Sequence, residues 1–143
     1  MRKGFTLIEL LVVIAIIGLL ASVVLIGLGP SQRSGRDARR VADLRQVQTA
    51  LELHFQSNGS YPADDGVTFG TGSVAGQKLP NDPNSDSGKV YYYKLGTGSN
   101  TYTLGAQLED ASNKIMSSSI VDTSVSFNST TCGLTGMFCV GIR

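Results

Sequence analysis

Between residues 5 and 28 the only ionisable side chain is Glu9, and Gly29-Pro30 closes the run. Residues 10–28 alone give about 19 apolar or small positions, roughly 28 Å of helix, close to the hydrocarbon thickness of a bilayer. A cleaved secretory signal has an apolar region of about 7–15 residues, so this longer run reads as a retained membrane span. Beyond Pro30 the pattern turns amphipathic. Val41, Leu44, Val47, Leu51 and Phe55 recur at three- and four-residue spacing among Arg, Asp, Gln and Glu, which predicts a helix with one buried stripe. Ser34 with Asp37 reads as a capping box, and Gly27, Gly29 and Pro30 as a weak point where the helix bends or unwinds. Asn58-Gly59 supplies a stop and Tyr61-Pro62 leads away from it. A continuous helix over residues 5–58 would measure roughly 80 Å, too long for a globular domain of this size.

The second half alternates with period two. Residues 90–95 and 101–108 read as a hairpin across 96–100, with Tyr102, Leu104, Ala106 and Leu108 on the face that should meet the helix stripe. A third strand is predicted over residues 120–127, where Val121, Val125 and Phe127 share a face. Residues 64–78, rich in Gly, Thr and Ser, read as a surface loop. The fold class is therefore α+β: a long N-terminal α-helix, membrane-embedded in its first half and amphipathic in its second, packed on a small antiparallel β-sheet.

Composition narrows the function classes. A net charge of +1 with 16% charged residues gives no strong field to draw nucleic acid or acidic substrates. Arg33, Arg36, Arg39, Arg40 and Arg45 form a local basic cluster that would suit DNA or anionic lipid. Asp37, Asp43 and the helical spacing favour instead a salt-linked solvent or subunit-contact face. The lone His54 and two cysteines are too few for a zinc site. With one imidazole and no Gly-x-Ser-x-Gly motif, catalysis finds no candidate residues, and the chain does not read as an enzyme. Asp82-Pro83-Asn84-Ser85-Asp86 has alternating oxygen donors, yet Gly88 is displaced and Tyr93 stands where an EF-hand needs Glu, so these read as solvated turn carboxylates. Cys132 and Cys139 read either as a bridge closing a short loop, worth about 2.5 kcal/mol by loop entropy, or as two buried thiols. Arg2 and Lys3 favour a cytoplasmic N-terminus and the arginines of the other flank oppose it. The cysteines and the Asn-rich second half tip the reading to N-in, C-out.

Glu9 is the informative residue. A carboxylate in an apolar span costs a few kcal/mol unless neutralised, and no Lys or Arg lies within helical reach downstream. It either snorkels to the headgroups or takes a cation from elsewhere, such as an α-amino group.

Lys3-Gly4-Phe5-Thr6-Leu7-Ile8-Glu9, followed by the apolar run, resembles the processing site of type IV pilins and type II secretion pseudopilins. The likeness extends to Gly59-Ser60-Tyr61-Pro62, Leu79-Pro80-Asn81-Asp82-Pro83 and the Tyr-rich strand after them. It implies that a prepilin peptidase cuts after Gly4, that Phe5 is N-methylated, and that Glu9 pairs with the Phe5 amine of a neighbouring subunit. It divides the chain into a leader (1–4), a transmembrane and filament-core helix (5–30), an amphipathic half-helix (31–58) and a β-sheet head (59–143). The implied product is a type IV pilus filament for adhesion, motility or DNA uptake; the alternatives are a type II secretion pseudopilus and a monomeric signal-anchored binding domain. Implied partners are further copies in a helical homopolymer, the peptidase, an assembly ATPase with its inner-membrane platform, minor pilins, and lipid before assembly. The implied location is the inner membrane, then an extracellular pilus or periplasmic pseudopilus. Pilus-forming pilins often carry a C-terminal disulfide and major pseudopilins usually do not, which favours a Cys132–Cys139 bridge in a pilus. Major pseudopilins bind calcium in a later head loop, with Asp110 or Asp122 as donors on offer, but no motif carries that site over, and no cofactor is assigned.

Overall fold

The computed structural model describes residues 4–64, 67–112, 125–127, 130–132 and 136–142. It divides into two compact units, Met1–Arg33 and Ser34–Arg143. One helix, α1, Leu7–Asn58, is assigned without interruption through Pro30. The expected weak point is therefore not a break: Pro30 lacks the N–H that would donate to the Ile26 carbonyl, yet the helix continues through it. In the first unit the apolar side chains from Leu7 to Val24 are exposed, and this stretch has the length and hydropathy to cross a membrane.

In the second unit the stripe on α1 is the core. Val41, Leu44, Val47, Ala50 and Leu51 are buried, and Phe55 packs against the same cluster. The stop follows from local chemistry. Gly59 takes a left-handed φ of 72°, its N–H donates to Phe55 O at 2.8 Å, and Asn58 Nδ2 donates to His54 O at 2.9 Å.

Two short strands, β1 (Ser73–Val74) and β2 (Gln77–Lys78), pair across Ala75-Gly76, both at positive φ. The segment read as a surface loop thus contributes to the core, since Val67 and Val74 are buried in the helix-facing cluster. β3 (Tyr91–Leu95) and β4 (Tyr102–Gln107) form the anticipated hairpin, with Tyr93 opposite Leu104. Tyr102, Leu104, Ala106 and Leu108 all join the helix-facing core. β5 (Ser126–Phe127) and β6 (Thr130–Thr131) make a separate two-stranded ladder.

The third strand of the main sheet is β7 (Met137–Ile142), antiparallel to β4, in the order β3-β4-β7. This corrects the strand predicted over residues 120–127. Of that segment, 120–124 lie outside the described residues, and Ser126 with Phe127 pairs with β6. Alternation along β7 explains the difference: Phe138 joins the helix-facing core while Met137 and Cys139 join a second layer with Phe127 and Cys132. Gly105 makes room for that layer, because a Cβ there would lie 2.9 Å from the Phe127 ring.

Candidate functional site

The segment the sequence singles out opens α1. Phe5 is 86% exposed, and the residues that follow it are exposed as well. Thr6 is the residue before the first helical position, where the first amides lack intrahelical acceptors. Its Oγ accepts from Glu9 N–H at 3.4 Å, while Glu9 Oε2 accepts from Thr6 N–H at 2.9 Å and from Thr6 Oγ at 2.8 Å. This reciprocal pair is a capping box. In a single chain the helix start thus supplies Glu9 with donors and with the positive end of the dipole. The signal was present as Thr6-x-x-Glu9 before an apolar run, and Thr6 was the residue overlooked. Ser34-x-x-Asp37, read as the cap, lies inside the helix.

Asp37 instead belongs to a buried ionic node. The Arg40 and Asp37 side chains have no exposed surface. Arg40 donates Nε and Nη2 to the two oxygens of Asp82 at 2.7 and 2.9 Å, and Nη1 to Asp37 at 2.7 Å and Glu109 at 3.0 Å. Arg36 forks onto Glu109 at 2.7 and 2.6 Å. Asp37 also accepts from the amides of Glu109 and Asp110 at 2.9 and 3.0 Å. Burial works against the Arg40 charge, but hydrogen bonds to Asp82, Glu109 and Asp37 outweigh it and hold the guanidinium above its ordinary range. Hydrogen bonding from Arg36, then from Arg40, outweighs burial and lowers the Glu109 carboxyl to about 2.

Two expectations change. Arg40 is not part of a solvent face, and Asp82 is a buried anchor rather than a solvated turn carboxylate. Arg33, Arg39 and Arg45 do remain exposed. Among the described residues no group of His, Cys, Asp and Glu is arranged to hold a metal ion; Asp122 lies outside them. His54 Nδ1 sits 3.1 Å from Ser60 O at the helix stop.

Residues 1–25 match the family model of the prokaryotic N-terminal methylation motif. The chain is 38% identical over 61 residues to the type II secretion system core protein G of Escherichia coli (strain K12), covering 43% of this chain and 42% of that protein. It is 34% identical over 64 residues to the protein of the same name from Pectobacterium carotovorum subsp. carotovorum, covering 45% of this chain and 41% of that one. With the fimbrial protein EcpB of Eikenella corrodens it shares 33% identity over 104 residues, covering 71% of this chain and 64% of that protein. The methylation motif and these similarities support kinship with the type IV pilins and pseudopilins. The chain spans less than half the length of the secretion-system relatives it matches, and no solved structure matches it.

Cys132 and Cys139 are joined, with Cα atoms 5.8 Å apart. The bond ties residue 132 to the middle of β7. With Phe127 and Met137 it forms a small layer on the face of the sheet away from the helix stripe.

Proposed function

We propose that the chain is the structural subunit of a type IV pilus, cut after Gly4, N-methylated at Phe5 and polymerised through its apolar helix. The observation that carries this reading is the exposed span Leu7–Val24, with a carboxylate fixed at its first turn beside an exposed Phe5. Apolar packing between spans supplies cohesion. Glu9 supplies register: both Thr6 bonds fall on Oε2, which leaves Oε1 for the Phe5 amine of a neighbouring subunit. At an effective dielectric of about 20, unit charges 4 Å apart attract by roughly 4 kcal/mol, which an amine at Oε1 would add to the Thr6 bonds. A prepilin peptidase, an assembly ATPase with its membrane platform, and minor pilins are the partners this route requires. The precursor would sit N-in, C-out in the inner membrane, and the subunit itself performs no catalysis.

The 104-residue similarity to a fimbrial protein is longer than the 52-residue helix, so it draws on the head as well, and this favours a pilus. The several secretion-system relatives, matched over shorter segments, favour a type II secretion pseudopilus as the second reading. The test is intact mass and N-terminal sequencing of sheared surface material and of membranes. A chain beginning at N-methylated Phe5 in sheared filaments supports the first reading, and uncut protein confined to membranes beside a working peptidase refutes both. Glu9→Val should insert and be cut yet assemble poorly; normal filaments from it would remove Glu9 from the mechanism.

A further inference from the structure

Beside β3, a cleft of about 360 Å3 is lined by Asp64, Tyr92, Tyr93, Lys94, Ser126 and Phe127. Its volume lies at the lower end of the roughly 300–1,000 Å3 of small-molecule sites, which suits a ring-sized ligand and not a folded partner. The cleft has a built floor. Tyr92 and Phe127 stack with centroids 5.4 Å apart, and Phe127 is seated against Gly105 by the layer that the Cys132–Cys139 bond closes.

Its polar rim is held in place. Gly96 N–H donates to Thr101 O, so alternation along the ladder turns the backbone groups of Tyr93 and Leu95 away from β4. The Leu95 N–H is taken by Asp64 Oδ1 at 2.5 Å, so the edge is blocked by a side chain rather than open to an added strand. Asp64 keeps Oδ2 for a ligand. Lys94 Nζ donates to Ser126 O at 3.0 Å, which fixes the ammonium and leaves two of its three N–H donors.

An aromatic surface bordered by one fixed acceptor and one fixed donor selects by chemistry. A ligand of either charge would meet one opposite and one like charge at the rim, with little net gain. A neutral ring with an apolar C–H face and hydroxyls at its edge would stack on Tyr92 and bridge Asp64 to Lys94. We propose that this cleft is a saccharide site that takes one pyranose ring of a glycan.

The test uses the isotope-labelled full chain in a detergent without a sugar headgroup. Methyl glycosides of glucose, galactose, mannose and N-acetylglucosamine are titrated while backbone amide shifts are followed. At least one glycoside should shift the Tyr92, Lys94 and Ser126 amides saturably, and Tyr92→Ala and Lys94→Met should each weaken it by about tenfold or more. Lys94 is exposed, so its variant keeps the test valid if Tyr92→Ala disturbs the layer. Reducing the disulfide should also weaken binding, because it frees the wall carrying Ser126 and Phe127. The proposal is overturned if no glycoside saturates, if both variants bind as the parent does, or if choline or acetate binds there and the glycosides do not.

Discussion

Arg40→Met tests whether the ionic node holds the head together. The guanidinium it removes makes four hydrogen bonds to three carboxylates, and the Asp37 and Asp82 side chains left behind are 0% and 1% exposed. Breaking a buried ion pair by deleting one partner destabilises by about 3–5 kcal/mol, because the survivor keeps its desolvation penalty. Asp37 retains two amide donors and Asp82 retains the Asn84 N–H at 2.8 Å, so the lower part of that range applies, about 3–4 kcal/mol. For a unit of about 110 residues, with an unfolding entropy near 2.1 cal/mol/K per residue, this corresponds to a fall in Tm of about 15 °C. Arg36→Met is the internal control. Its side chain is 33% exposed and, among the described residues, its ion pair is with Glu109, which predicts a far smaller loss and a fall in Tm of only a few degrees. The assay is a near-ultraviolet circular dichroism melt of the full chain in detergent. All five tyrosines lie between residues 61 and 102 and tryptophan is absent, so the signal reports the head alone. If Arg40→Met melts within a few degrees of the parent, or Arg36→Met costs as much, the node is not an anchor.

Other outcomes follow from the same geometry. Glu109 is lowered from 4.5 to about 2 by Arg36 and Arg40, so its contribution is complete above pH 4.5 and is lost as pH falls towards 2. Acid melts of the parent should lose about 1 kcal/mol more over that window than those of Glu109→Gln, once solvent at the Arg36 side is allowed for. Burial and the neighbouring Glu52 push Tyr61 up to about 12, and burial raises Tyr91, Tyr93 and Tyr102 as well. Stability is then complete below pH 10 and falls as pH rises through 12, and tyrosinate absorbance should appear together with unfolding. Ala75 carries a φ of 49° at the β1–β2 turn, so Ala75→Gly should raise stability by about 0.5–1 kcal/mol, read as a higher Tm. Gly105→Ala would push a methyl into Phe127 and should destabilise by about 1–3 kcal/mol, with the loss visible first in Tyr92 and Val125 signals.

The helix stripe and the β3–β4 hairpin were legible because each is a local periodic pattern that one buried face imposes. The N-terminal motif was legible too, but its chemistry was half read: Glu9 was weighed against distant cations while the donors on Thr6 stood three residues away. The ionic node was hidden for the opposite reason. Arg40 meets Asp82 and Glu109 across 42 and 69 residues, and no local pattern distinguishes an arginine aimed inward at such partners from its exposed neighbour Arg39. β7 escaped because it is double-faced, with Phe138 inward and Met137 and Cys139 in the outer layer, so its run of apolar residues does not alternate.

The pairing of β4 bears on when the head can fold. Tyr102 lies opposite Ile142 and Gln107 opposite Met137, so the central strand receives its second neighbour only once the ribosome has passed residue 142. Until then β4 has one filled edge and one open edge, and the nascent head carries an adhesive strand. Closure must therefore be a late event, with β7 zipping on before the Cys132–Cys139 bond can seal it. A chaperone that shields the open edge of β4 until β7 arrives would serve this protein better than one that recognises its helix.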